Sequence, residues 1–251
     1  VPHPEVATAY TAHVMDCMAE IEAALGNEAE ASAYREFAAG CRRSYQALRR
    51  TAAYPLDTDR QAQLVRPLAF QLLDEAQTEC AQKRLLTALE HFHWRLGTGF
   101  LSTPLILDVL TEIDLESAYR LLENEEIPGW LSMPKNGATT IWEAWEGPNS
   151  KSGGIGSLNH YSKGAAVAWL FDTMCGIRVD GENHFVIAPH PGGHFTRAKA
   201  VYDSVYGRVE SGWEKAADGW HYTITIPANC TAELHLPEKP PVTLESGTYP
   251  F

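Results

Sequence analysis

The feature that most constrains this chain is a change of hydrophobic period near residue 178. Before it, apolar side chains recur every three to four residues, the spacing of one helix face. After it they alternate, the spacing of strands with one face buried. A chain that is helical first and β afterwards predicts two domains in series. The expected division is residues 1–178 and 179–251, with the boundary close to Gly176–Glu182.

In the first part, helices are predicted over residues 8–25, 28–48, 61–73, 75–94, 104–111, 115–124 and 162–175, with Gly26 as a helix-terminating residue. Residues 127–157 are rich in Gly, Pro, Asn and Trp and have no clean period, so they read as an irregular loop region of the kind that carries function. In the second part, strands are predicted over 185–189, 206–213, 220–226 and 231–236, separated by turns at Pro191-Gly-Gly193, Asp218-Gly219 and Pro227. Antiparallel helix pairs with short connections fit a bundle, an α-solenoid or an α/α toroid. No repeat of fixed length is present, which disfavours the solenoid.

Composition excludes several function classes. The formal net charge is −12, from 20 Lys plus Arg against 32 Asp plus Glu. Such a surface repels phosphate backbones, so nucleic acid is not an expected partner. No apolar run reaches the ~20 residues that span a bilayer, so no membrane partner is expected either. Val1-Pro-His-Pro4 shows no basic or apolar leader and no initiator Met, so it reads as an artificial boundary or a fragment end, and the missing leader says nothing about the full-length product. The five cysteines, Cys17, Cys41, Cys80, Cys175 and Cys230, form no C-x-x-C pair and are expected to be small buried thiols. Thiols of that kind lean toward the cytoplasm, and nothing else sets the compartment.

The stretch Asn136-Gly-Ala-Thr-Thr-Ile-Trp-Glu-Ala-Trp-Glu-Gly147 places Glu143 between Trp142 and Trp145 in a turn-prone region. Aromatic faces suit the C–H faces of sugar rings, and a carboxylate held among them can polarise a water. The same pattern also fits two core tryptophans and a salt-bridged glutamate. Ser157-Leu-Asn-His-Tyr-Ser-Lys-Gly164 puts Asn159 and His160 at a loop-to-helix junction, where they either face a cavity or serve as a helix cap and a packing histidine. His91 and His93 are two apart, which does not put both imidazoles on one helix face, and His190/His194 lack a third ligand, so no metal site is expected. Asp108 and Glu112 read as a solvated helix face. No Gly-x-Ser-x-Gly, P-loop or Gly-x-Gly-x-x-Gly motif is present, and no cofactor is expected.

Gly99-Phe-Leu-Ser-Thr-Pro-Leu105, Gly137-Ala-Thr-Thr-Ile-Trp-Glu143 and Ser157-Leu-Asn-His-Tyr161, in that order, resemble the glycoside hydrolase family 78 α-L-rhamnosidases. Phe185-Val-Ile-Ala-Pro-His-Pro191, Tyr206-Gly-Arg-Val-Glu-Ser-Gly-Trp213 and Ile226-Pro-Ala-Asn-Cys-Thr-Ala232 are similar to that family's C-terminal domain, so the resemblance runs along nearly the whole chain. It implies a mainly α part followed by a β part: a partial (α/α)6 toroid with a C-terminal antiparallel β-sandwich. It also implies inverting hydrolysis that releases terminal α-L-rhamnose from a rhamnose-containing glycoside. There a carboxylic acid protonates the leaving oxygen, and a carboxylate roughly 6.5–9.5 Å away activates water. By the resemblance Glu143 is the catalytic base, and His160, Asn159, Trp142 and Trp145 belong to the substrate pocket. The family's general acid lies in an upstream motif with no counterpart here. About seven helices are visible, where a closed barrel needs about twelve, so an upstream catalytic-domain segment or self-association is expected as partner. Two other readings stay open: a non-catalytic structural or sugar-binding fragment, and another α/α-toroid glycosidase.

Overall fold

The computed structural model describes residues 3–149 and 156–251. The chain folds as two compact units. One is residues 1–139 with 144–156, and the other is residues 140–143 with 157–251.

The first unit is built from helical hairpins. Helices α1 (Pro4–Ala24) and α2 (Glu28–Leu48) pack along their length, followed by α3 (Gln61–Ala69) with α4 (Glu75–His91) and α5 (Ile106–Ile113) with α6 (Leu115–Leu122). A short helix, α7 (Ser132–Lys135), follows. The reversals have local causes. Gly26 takes φ 81°, and the N–H of Asn27 reaches back to the Glu22 carbonyl at 2.8 Å, closing α1 as a left-handed C-terminal motif. Asp74 caps α4 by accepting from the Gln77 N–H at 2.9 Å, while the Gln77 side chain returns to the Asp74 N–H, a reciprocal capping box. After α4, His93 and Trp94 both adopt left-handed backbone, at φ 55° and 56°, which is costly for residues with a Cβ. The Asn124 side-chain amide compensates by donating to both of their carbonyls, at 3.0 and 2.8 Å, and the Arg120 guanidinium lies 4.1 Å from the Trp94 ring.

The core of this unit is apolar with one charged knot inside it. Ala9, Ala12, Tyr45, Phe70 and Leu72 form a buried cluster. Beside it, buried Glu5 accepts from the Tyr45 hydroxyl and from Arg66 Nη2, both at 2.6 Å, while Arg66 Nη1 donates to Ser102 Oγ at 2.9 Å. The knot ties α1, α2 and α3 to the turn before α5. Burial, reinforced by the neighbouring Glu5 charge, pushes the Tyr45 phenol far above its ordinary range, so it serves here as a donor.

The second unit holds two sheets and the helical turns that lead into them: α8 (Tyr161–Gly164), α9 (Ala166–Trp169) and a π-helical turn over Leu170–Met174. The strands are β1 (Ile177–Val179), β2 (His184–Ile187), β3 (Arg197–Ser204), β4 (Gly207–Ala216), β5 (Gly219–Ile226), β6 (Thr231–Leu234), β7 (Val242–Leu244) and β8 (Gly247–Pro250). One sheet runs β1-β2-β6-β7 and the other β3-β4-β5-β8. Every pairing is antiparallel except β2 with β6, which is parallel because the β3-β4-β5 meander intervenes between them and returns the chain to the same end. Alternation supplies the core. Val209, Ser211 and Trp213 on β4 and Tyr222, Ile224 and Ile226 on β5 are buried, while Arg208, Glu214, His221 and Thr223 beside them are exposed. Gly176 begins this unit's strands at φ 72°. A Cβ there would lie 2.1 Å from the Ala188 carbonyl carbon, so only glycine fits.

The helical-then-β order matches the expectation from periodicity, with helices up to Met174 and strands from Ile177. The thiols are not uniformly buried. Cys175 and Cys230 are, Cys17 and Cys41 are half-buried, and Cys80 is exposed on α4. No helix among the described residues is long and apolar enough to cross a membrane.

Candidate functional site

Glu143 sits in the second unit where two irregular segments, residues 140–143 and 157–160, are joined by hydrogen bonds. The Glu143 N–H donates to the Ser157 carbonyl at 2.8 Å, and the His160 N–H donates to the Ile141 carbonyl at 2.8 Å. The Thr140 hydroxyl adds a further bond, donating to the Leu158 carbonyl. The two motif segments singled out in the sequence are thus backbone partners. This pairing fixes where the Glu143 side chain emerges. Its Oε2 accepts from the Ser157 N–H at 2.8 Å, a charge-assisted bond that holds an otherwise exposed carboxylate in one orientation. The buried Lys163 ammonium donates to the Glu143 carbonyl oxygen.

Ser157 is itself locked. Its hydroxyl donates to the Asn159 carbonyl at 3.0 Å and accepts from the Asn159 N–H at 3.2 Å. Asn159 is exposed beside this turn. His160 is half-buried at the start of α8, its ring stacked on Tyr161 with centroids 5.2 Å apart and planes 14° apart. The helix-cap alternative fails, because His160 rather than Ser157 or Asn159 occupies the N-cap of α8, and it makes no side-chain cap bond. Trp142, the residue before Glu143, is buried.

The structure therefore places Glu143, Trp142, Asn159 and His160 on two segments that hydrogen-bond to each other. Trp145 falls in the helical unit, edge-on to Trp130 with centroids 6.3 Å apart. Ser157 and Lys163 are positioning residues that reasoning on side-chain motifs misses. The signal for Lys163 is present: a single Lys inside the neutral stretch 157–164, three residues after His160. Of the other polar clusters, His91 pairs with Asp59 at 3.1 Å, and burial lowers the His190 pKa with help from the Arg178 charge. Among the described residues no group of three His, Cys, Asp or Glu is arranged to hold a metal.

A succession of α-hairpins followed by a two-sheet β unit is the architecture of helical-toroid glycosidases with a C-terminal β domain. Residues 2–174 match the bacterial alpha-L-rhamnosidase six-hairpin glycosidase domain, and residues 178–249 match the bacterial alpha-L-rhamnosidase C-terminal domain. An alpha-L-rhamnosidase of Streptomyces avermitilis is 33% identical over 247 residues, which is 96% of this chain and 24% of that protein. One from Formosa agariphila is 33% identical over 243 residues, covering 94% of this chain and 26% of that protein. Among solved structures, the native α-L-rhamnosidase of Aspergillus terreus superposes with a TM-score of 0.88 at 29% identity, covering 97% of this chain and 29% of that one. The Streptomyces avermitilis enzyme complexed with L-rhamnose gives 0.85 at 30% identity, covering 97% and 26%. The chain belongs to the bacterial α-L-rhamnosidase family. It spans about a quarter of the length of the curated relatives it matches.

Proposed function

We propose that this chain contributes the base side of an inverting α-L-rhamnosidase, in which residues 1–178 belong to the catalytic helical domain and residues 179–251 form the accessory β domain. Glu143 is the general base. The observation that carries this is the tether from the Ser157 N–H to Glu143 Oε2 at 2.8 Å, which orients an exposed carboxylate. With Oε2 held, Oε1 takes the proton as water attacks the anomeric carbon. Asn159 and His160, two and three residues after Ser157, supply hydrogen bonds to rhamnose hydroxyls, and Trp142 contributes apolar wall. The general acid is supplied by sequence outside these 251 residues, as are the helices that complete the toroid. The substrate is a glycoside ending in α-L-rhamnose.

Stereochemistry tests this directly. NMR of early hydrolysis of p-nitrophenyl α-L-rhamnoside by the full-length enzyme should show β-L-rhamnose first, with the α anomer appearing only by mutarotation. Initial release of the α anomer would require a nucleophile in place of a base and would overturn Glu143's role.

The shortness of the chain relative to its relatives favours one second reading, a non-catalytic sugar-binding fragment. Loss of turnover of the same substrate by the full-length enzyme on Glu143→Gln, with the fold intact, would eliminate it.

A further inference from the structure

The sheet β3-β4-β5-β8 ends in a long strand with one open side. β3 is 8 residues long and, among the described residues, pairs with β4 alone. The Lys215 N–H donates to the Thr196 carbonyl at 2.7 Å, which fixes the phase of the β3–β4 ladder. Bonded and non-bonded positions alternate along an antiparallel pair. Ala198, Ala200, Tyr202 and Ser204 therefore turn their backbone groups toward β4. Arg197, Lys199, Val201 and Asp203 turn theirs outward, and all four residues are exposed. A row of outward N–H and C=O groups is a template for another strand, and natural edges are often blunted by proline or a bulge. β3 has no proline, and it keeps one register with β4 from Arg197 to Ser204 without a bulge.

The order of its side chains is self-complementary. With a second copy laid antiparallel and the twofold axis at Ala200, Arg197 faces the partner's Asp203, Ala198 faces the partner's Tyr202, and Lys199 faces the partner's Val201. Each contact occurs twice. Arg197 makes no ion pair among the described residues, and Asp203 stays 71% exposed in its pair with Arg208 at 2.8 Å. Opposite charges directly across a strand pair stabilise it. At each end, Val205, which is 94% exposed in the β3–β4 turn, comes beside the partner's Phe195. Other registers fit less well. An axis at Lys199 sets two lysines against each other, and an axis at Val201 leaves Arg197 facing the apolar Val205.

We propose that β3 is a self-association edge, through which two copies of this protein join their four-stranded sheets into one continuous sheet. The outward main-chain groups supply the affinity, and the two Arg197–Asp203 pairs set the register. The proposal is independent of the catalytic role given to Glu143.

Sedimentation velocity on the full-length enzyme tests this. The wild type should show a concentration-dependent equilibrium between monomer and dimer. Arg197→Asp turns two attractive pairs into two repulsive ones and should weaken the dimer about 10-fold or more. Arg197→Asp combined with Asp203→Arg exchanges the charges and should restore it. Val201→Pro removes an outward N–H that β4 does not use, so it should weaken the dimer while the β3–β4 pairing is kept. Arg197→Asp, at an exposed position, keeps the test standing if the proline variant folds poorly. Association through any other face would be indifferent to these changes. A wild type that stays monomeric at high concentration, a dimer that Arg197→Asp leaves unchanged, or a charge exchange that fails to restore it would overturn the proposal.

Discussion

At the scale of single residues, the account turns on how individual groups are held. The Glu143 carboxylate is exposed and would be free to rotate, yet one backbone N–H fixes it. That donor belongs to a residue fourteen positions on, so the orientation exists only once the two motif segments pair. The thiols show the opposite case. Burial pushes the Cys175 thiol up to about 11, whereas Cys80 lies exposed on α4. At pH 8 Cys80 should react with a thiol reagent at once, and Cys175 and Cys230 only on unfolding. Counting thiols released before and after denaturation checks this, and fast labelling of Cys175 in the native state would contradict it. The sign for stability follows. Between pH 9 and 11 the unfolded chain loses this proton while the folded chain keeps it, so the Cys175 contribution is intact below about 9 and is lost as pH rises.

At the scale of elements, legibility follows from whether the cause is local. α2 is readable to its ends because its apolar face keeps the helical period, and α1 at its C-terminal end because Gly26 stops it, though it starts at Pro4 rather than at residue 8. Strands β4 and β5 are readable because buried and exposed side chains alternate along them. β3 is not, because Arg197, Lys199, Val201, Tyr202 and Asp203 are all exposed, which hides the alternation. The short strands β1, β7 and β8 offer three or four residues each, too few for a period. The parallel β2–β6 pairing joins strands more than forty residues apart and has no local signature at all. The same holds for the Glu5–Tyr45–Arg66–Ser102 knot, whose members lie up to 97 residues apart in sequence. It makes a firm prediction, because removing one partner of a buried ion pair leaves the other uncompensated. Glu5→Gln should destabilise the helical unit by about 3–5 kcal/mol, seen as a lower denaturant midpoint with unchanged slope. A shift below about 1 kcal/mol would mean that water already reaches Arg66.

At the scale of the whole molecule, the resemblance carries what periodicity could not: the toroid, the rhamnosidase family, and the choice of Glu143 from several exposed carboxylates. The helical hairpins leave Val14, Ile21, Leu25 and Phe37 on α1, α2 and their connection 49–68% exposed. Covering these side chains would favour association. The isolated chain should therefore self-associate, and Ile21→Lys with Phe37→Glu should shift it toward monomer in sedimentation velocity. A wild-type chain that stays monomeric at high concentration would contradict this. The central claim is decided by kinetics on the full-length enzyme. Glu143→Gln keeps size and hydrogen bonding but cannot accept a proton, so kcat should fall about 10²–10⁴-fold, roughly 3–5 kcal/mol of barrier, with little change in KM. Glu146→Gln, three residues on and also exposed, should keep most of its activity. Equal, mild losses in the two variants would show that Glu143 is an ordinary carboxylate and that the base lies elsewhere.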